Sequence, residues 1–374
     1  MKRNSLLLAT ALLIGMTGCK NTPVQKEAWI SNALDAASYQ LKSTAEELSG
    51  TSKFPRSIHS GYDVNFLDTQ LQRENKAYID SLHPNPEALQ LGQKRLCGIA
   101  DWTSGFFPGS LWYAYELTGD EELKKRAIEY TNILNPIREL KGTHDVGFMM
   151  NCSYGNALRL APNDTIKAVL VETADNLCAR FNPEIGCIRS WDFGAWNFPV
   201  IIDNMMNLDL LFNVYKLTGD EKYKNVAVKH AQTTMKNHFR PDYTSYHVVS
   251  YNNDGSVEIK QTHQGKNAES AWSRGQAWGV YGYTSCYRET RDTAFLELST
   301  FVPDGKKYSD YAETILKNLS GPKYLAAKGS NQGYVLMHST GSLPHGSEID
   351  VPLNYADYYY MEALKRYIDL KNKG

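Results

Sequence analysis

The chain is 374 residues long and nearly neutral, with Lys+Arg 40 against Asp+Glu 41 for a formal net charge of −1. No basic run stands out, which argues against nucleic acid as a partner, and the length allows either one large domain or two. Aromatic residues make up 11%, with 24 Tyr and 7 Trp, most of which a core must absorb.

The first residues read as an export signal. Lys2 and Arg3 form a positive start, and Leu6 to Ile14 form an apolar stretch too short to span a bilayer. Met16-Thr17-Gly18-Cys19 resembles the end of a bacterial lipoprotein signal. On that reading residues 1–18 are removed, Cys19 is lipidated and residues 19–26 form a polar tether. A plain cleaved signal with an incidental Cys is the competing reading. The anchored protein is expected in the periplasm or on the outer membrane, touching lipid only through its anchor, with residues 27–374 as a single domain. Five further cysteines, Cys97, Cys152, Cys178, Cys187 and Cys286, cannot all pair, and there is no CxxC; a Cys178–Cys187 bridge is open. The histidines lack the spacing of a zinc site, so no metal is expected.

Further along, a repeat shows. Tyr115-Glu116-Leu117-Thr118-Gly119-Asp120-Glu121 recurs one hundred residues later as Tyr215-Lys216-Leu217-Thr218-Gly219-Asp220-Glu221, and Leu160-Ala161-Pro162-Asn163-Asp164 plays a similar part between them. In each, an apolar helix meets a Gly or Pro breaker and an Asp opens a more polar helix: Glu121 to Leu134, Thr165 to Phe181, Glu221 to His238. Asp is a good N-cap and Gly a good C-terminal cap, so Asp120 and Asp220 read as caps. The partner helix Asp203 to Leu217 is apolar nearly all round, with Met205, Leu208, Phe212 and Tyr215 on one stripe and Met206 and Leu210 beside it. Hairpins of inner and outer helices recurring about every 45 to 60 residues predict an all-α fold, an α/α toroid of about six hairpins. A right-handed solenoid of the same hairpins is the alternative.

One segment departs from this pattern. Ser245 to Tyr251 and Ser256 to Thr262 flank Asn252-Asn253-Asp254-Gly255, which predicts a β-hairpin at the rim, followed at once by His263-Gln264-Gly265. The stretch Asn354 to Leu364 reads as the last inner helix.

Two acids stand out by their surroundings. Asp145 lies in Thr143-His144-Asp145-Val146-Gly147-Phe148, and Asp203 lies between Pro199-Val200-Ile201-Ile202 and Asn204-Met205-Met206-Asn207. A carboxylate among apolar residues costs several kcal/mol to desolvate unless it is paired or protonated. A charged acid beside a protonated one is a kit for glycoside chemistry. Trp102, Trp191, Trp278 and Phe107 are candidate sugar platforms or ordinary core. Arg274 could grip a substrate carboxylate or form an internal ion pair. His144, His247 and His263 could donate hydrogen bonds or tune protonation.

Taken together, the segments Trp102 to Gly109, His144 to Phe148, Ile202 to Asn207, Thr262 to Gly265, Trp272 to Trp278 and Asp357-Tyr358-Tyr359 resemble glycoside hydrolase family 88, the unsaturated glucuronyl hydrolases. The resemblance runs from about Trp102 to Leu364. It implies an (α/α)6 barrel as the catalytic domain, no cofactor, and a substrate oligosaccharide, typically a disaccharide, left by a polysaccharide lyase. Such a substrate carries a 4,5-unsaturated uronic acid at its non-reducing end, and the family hydrates this double bond. The resemblance makes Asp203 the proton donor, with Asp145 as the second carboxylate. It places His144, His247, His263, Gln264, Arg274 and Trp278 along the pocket and Trp102 and Trp191 beside the ring. The expected activity is removal of unsaturated glucuronic acid from glycosaminoglycan fragments. One departure is Tyr355-Ala356 where the family often has Trp-Gly, which bears on the leaving-sugar side.

Three other readings compete. An unsaturated rhamnogalacturonyl hydrolase of the family 105 type tends to carry Arg-Gly-Asn-Gly-Trp where this chain has Arg274-Gly275-Gln276-Ala277-Trp278. A sugar epimerase on the same toroid would need a pair of His bases. A glycan-binding lipoprotein would bind without turnover.

Overall fold

The computed structural model describes residues 27–59, 92–299 and 305–373; the signal, Cys19 and the tether read in residues 1–26 lie outside these. Helical hairpins dominate, arranged as an α/α barrel. Among the described residues the inner wall is built by Phe106–Thr118, Val146–Met150 continuing to Asn156–Leu160, Asn204–Thr218, Ser273–Thr290 and Asn354–Lys373. Glu121–Ile133, Asp164–Cys178 and Glu221–His238 lie outside them.

Small residues let the inner helices touch. A side chain on Gly147 would run into Asn207, one on Gly282 into the backbone of Met205, and one on Gly109 into the Tyr358 ring and the Cys152 carbonyl. Tyr281 then closes the ring by donating to Glu362 Oε1 over 2.8 Å. The ring therefore shuts, and the open solenoid is set aside. The Asn204–Thr218 helix buries Met205, Met206, Leu208, Leu210, Leu211, Phe212 and Val214, because both its faces meet protein. One inner helix is interrupted, by a π-helical turn at Asn151–Gly155.

The repeated turns behave as their residues dictate. Gly119 and Gly219 take left-handed φ of 72° and 73°. Asp120 and Asp220 each accept the backbone N–H two residues on, at 3.0 Å. In the intervening hairpin the cap is Asn163, which accepts from Ile166 N at 2.9 Å, so that helix starts at Asp164 and ends at Cys178 rather than Phe181.

The rim hairpin is present as Val248–Tyr251 and Val257–Gln261, but it belongs to a three-stranded antiparallel sheet. Pro199–Ile201, which leads into Asp203, pairs with its first strand in the register Val200↔Val249. Besides Phe181–Asn182 with Cys187–Ile188, two further strand pairs, Phe54–Ile58 with Lys94–Cys97 and Ser339–Ser342 with Ser347–Val351, were not anticipated. They gather at the end of the barrel where the inner helices begin. Asn354 donates to the carbonyls of Pro55 and Thr103, at 2.8 and 2.9 Å, joining the start of the last inner helix to the Phe54–Ile58 strand and to the turn before Phe106. The described cysteines Cys97, Cys152, Cys178, Cys187 and Cys286 are all free. No described helix is long and apolar enough to cross a membrane.

Candidate active site

Asp203 and Asp145 both occupy the residue before an inner helix, yet neither caps it. Their backbones are already helical, φ −55° ψ −27° at Asp203 and φ −64° ψ −8° at Asp145, so the carboxyls cannot fold back onto the first turn. Both therefore project toward the barrel mouth. Two asparagines anchor the Asp203 helix, one of them directly to the Asp145 helix. Asn207, one turn beyond Asp203, accepts the Phe148 N–H at 2.7 Å where Gly147 presses against it. Asn204 donates to the Ile188 carbonyl at 2.8 Å.

The two acids differ in setting. Asp203 is buried, and its Oδ2 has no hydrogen-bond partner. Burial pushes its carboxyl up to about 6, and the negative charge of Asp145 adds to that rise while Arg274 and His144 oppose it. Asp145 is more open, with 24% of its side chain exposed. It accepts from Thr143 Oγ1 at 2.8 Å, and His144 Nε2 lies 3.2 Å away. One acid thus keeps a proton into the weakly acidic range, while the other stands hydrogen-bonded and open to water.

His247 stands over Asp203, its Nε2 being 3.6 Å from Oδ2. Its Nδ1 accepts from the backbone N–H groups of His263 and Gln264, at 3.0 and 3.1 Å. Burial, with nearby His263 and Arg274, holds His247 well below the usual imidazole range, and burial brings His263 down to about 3. These rings are neutral at physiological pH.

Among the described residues Arg274 does not form the internal ion pair considered for it. Its guanidinium donates to the Gly341 carbonyl at 2.6 Å, to the Thr340 carbonyl at 3.3 Å and to Gln264 Oε1, while stacking 4.3 Å over Trp272. Carbonyl oxygens orient this cation without neutralising it.

The aromatic candidates divide. Trp191 stacks on Phe193 with centroids 4.7 Å apart and stands edge-on to His263 at 5.4 Å, forming a side wall with Trp196. Trp102 packs against Phe148 and Tyr355 at 5.8 and 5.1 Å. Trp278 is buried below, against Phe148 and Tyr359 at 5.6 and 5.1 Å. Phe107 is no platform: it is buried edge-on against Tyr130 at 4.9 Å, facing the outer helices.

With this geometry in view, comparison with known proteins is decisive. The model of Glycosyl Hydrolase Family 88 matches residues 72–322. The chain belongs to glycosyl hydrolase family 88. A model described only as a domain of unknown function matches residues 1–73 of the same chain. An unsaturated glucuronyl hydrolase of Formosa agariphila is 42% identical over 319 residues, 71% of this chain and 80% of that protein. An unsaturated chondroitin disaccharide hydrolase of Streptococcus agalactiae is 29% identical over 358 residues, 78% of this chain and 87% of that one. Among solved structures, an unsaturated glucuronyl hydrolase specific for heparin is 42% identical with a TM-score of 0.81, covering 92% of this chain and 98% of its own. An unsaturated glucuronyl hydrolase of Streptococcus agalactiae shares the fold at a TM-score of 0.75, with 24% identity and 91% of each chain covered. The protein is a glycosidase with the α/α barrel of this family.

In this family 88 enzyme the barrel mouth brings together Asp145, Asp203, His144, His247, His263, Gln264, Arg274, Trp102 and Trp191, with Trp278 one layer beneath. Sequence reasoning missed Phe193 and Trp196, although the dense run Trp191-Asp192-Phe193-Gly194-Ala195-Trp196 was a usable signal. It also missed His345, whose Nδ1 is 2.8 Å from Ser342 Oγ and whose ring lies 4.9 Å from that of His263. Nothing near His345 in sequence advertises it. Asp357, from the Asp-Tyr-Tyr segment, proves to be a support: its carboxyl accepts the N–H groups of Val335 and Leu336, at 2.9 and 2.8 Å.

Proposed function

We propose that this enzyme removes 4,5-unsaturated glucuronic acid from lyase-generated glycosaminoglycan oligosaccharides by hydrating the C4=C5 enol ether. The observation that carries the reading is the buried carboxyl of Asp203, held up to about 6 beside a second, more exposed acid. An enol ether needs a proton on carbon. Asp203 supplies it to C4, leaving a cation shared between C5 and the ring oxygen. Water adds at C5 and yields its proton to the Asp203 carboxylate, which regenerates the acid. The resulting hemiketal opens and frees the leaving sugar.

Asp145 is placed to accept hydrogen bonds from the sugar hydroxyls, and its charge favours the protonated form of Asp203. Arg274, oriented by carbonyls and left positive, suits the uronate carboxylate. Among the described residues five inner-wall helices begin at this mouth, and their N-termini add positive potential for the same anion. Neutral His247 and His263, with His144, Trp191 and Trp102, complete a partly apolar enclosure for one sugar ring. At the amino terminus, residues 1–26 support export and a lipid anchor at Cys19 in the periplasm or on the outer membrane; metabolic labelling with a fatty acid, lost in Cys19→Ala, tests this.

The test of function is to offer unsaturated disaccharides made by lyases from heparin, chondroitin, hyaluronan and pectin and to follow the loss of enol ether absorbance in the ultraviolet. Glycosaminoglycan products should be consumed, the heparin product fastest given the likeness to the heparin-specific enzyme. Consumption of the pectin product alone would favour a rhamnogalacturonyl hydrolase, and tight binding with no turnover a glycan-binding protein.

A further inference from the structure

Two buried polar atoms face each other across the site with no hydrogen-bond partner: His247 Nε2 and Asp203 Oδ2, 3.6 Å apart. Orphans of this kind are rare because each forfeits its hydration. Their chemistry is settled by the other side of the imidazole. Nδ1 receives two backbone N–H groups, from His263 and Gln264, and so must present its lone pair. The ring proton therefore sits on Nε2 and points at Asp203. A gap of 3.6 Å is longer than a hydrogen bond. At that distance an uncharged carboxyl makes no bond with this N–H, whereas an ionised carboxylate would attract it.

Because Nε2 already carries hydrogen, it cannot accept one from Oδ2. The acid proton is thereby directed to Oδ1, the oxygen left for the substrate. We propose that His247 is a positioning residue for the hydration reaction: locked as the Nε2–H tautomer by the His263–Gln264 backbone, it keeps the transferable proton on Asp203 Oδ1 and holds the carboxylate that remains once that proton has gone to carbon. The donor is unsatisfied in the resting enzyme and satisfied only when charge develops, so its hydrogen bond favours the transition state over the ground state. The inference rests on the hydratase reading above. The other groups facing the pair are Asp145 and His144 at the start of one inner helix, Arg274 at the start of another, His263 and His345 in two loops, and His238 from an outer helix. His238 is also held as the Nε2–H form, by the Val200 carbonyl at 3.0 Å, but its Nε2–H is spent on that bond, whereas that of His247 faces Asp203.

Nitrogen-15 NMR of histidine-labelled parent protein without substrate reads the tautomer directly, with the His247 signal assigned by its loss in His247→Gln. The Nε2–H form is expected, whichever glycan the enzyme accepts; an Nδ1–H form overturns the proposal. His247→Ala should lower kcat by about 10²-fold or more, the usual loss for one donor to a developing anion, with KM changed by less than about threefold. The alkaline limb of its pH profile should move upward, since the Asp203 carboxylate has lost a donor. His247→Gln, which keeps an N–H, should recover part of both. A kcat near the parent value, or a fall in kcat with the limb unmoved in both variants, would sink the proposed role while leaving the hydratase reading intact.

Discussion

The barrel has two kinds of aspartate at the start of a helix, at its two ends. At the Gly-Asp turns, Asp120 and Asp220 have extended backbones, with ψ of 109° in each, and their carboxylates bond the first helical turn. At the mouth, Asp145 and Asp203 hold the same position relative to their helices but in helical backbone conformation, with no capping bond. The difference is about 130° in ψ, and it decides whether a carboxylate serves the helix or is left over for chemistry. Solvent then separates the two left over: Asp145 keeps an opening to water, and Asp203 does not.

Several substitutions would break or sharpen this contrast. The largest effect is expected for Asp203→Asn, which removes the proton donor. Its kcat on unsaturated disaccharide should fall by at least about 10³-fold, as loss of a general acid implies, while calorimetry still detects binding. Near-normal turnover would return Asp203 to the class of structural acids. Next comes Asp145→Asn. Without that charge Asp203 ionises more readily, so the limb where kcat/KM falls should move to lower pH, and KM should rise about tenfold if the sugar hydroxyls lose an acceptor.

In the parent enzyme that limb should lie near pH 6, activity falling as pH rises and Asp203 loses its proton. The limb of kcat should lie higher, because a bound uronate carboxylate disfavours a second negative charge. A limb that rises with pH through this range would assign the essential form of Asp203 wrongly. The same shift has a stability consequence. Between the ordinary carboxyl range and about pH 6 the folded state holds a proton that the unfolded chain has released, so stability falls as pH rises and stays reduced above. The amount is about 2 to 3 kcal/mol, and Asp203→Asn should recover part of it at pH 7.5 but little at pH 4, as read by denaturant unfolding.

The smallest effect belongs to the capping pair. Asp220→Ala should cost about 1 kcal/mol of stability and leave kcat unchanged. Asp120→Ala should cost slightly more, because Asp120 also pairs with Lys42 at 2.7 Å. A loss of activity in either would mean that the far end of the barrel is coupled to its mouth.

Much of this was legible in the chain. The repeat at Tyr115 and Tyr215, the breaker–cap turns and the all-round apolar helix after Asp203 follow from local preference and 3.6-residue periodicity, which act over one or two turns. The same holds for the Asp-Gly hairpin. Asp203 could be singled out because its neighbours in sequence are apolar and so foretell burial.

What stayed hidden depends on contacts between residues far apart. The extra strand at Pro199–Ile201 exists because the rim hairpin offers it an edge. Arg274 answers to the carbonyls of Gly341 and Thr340, and His345 reaches His263 only because the last hairpin folds over the mouth. Sequence thus determined the helical hairpins, their caps and the apolar setting of both acids, because these rest on near neighbours. Tertiary structure alone decided that the ring closes, that Asp145 stands close enough to raise the Asp203 carboxyl, and that His247 presents its Nε2–H. Closure, field and tautomer are set by groups brought together through space, whose separation along the chain carries no record of their meeting.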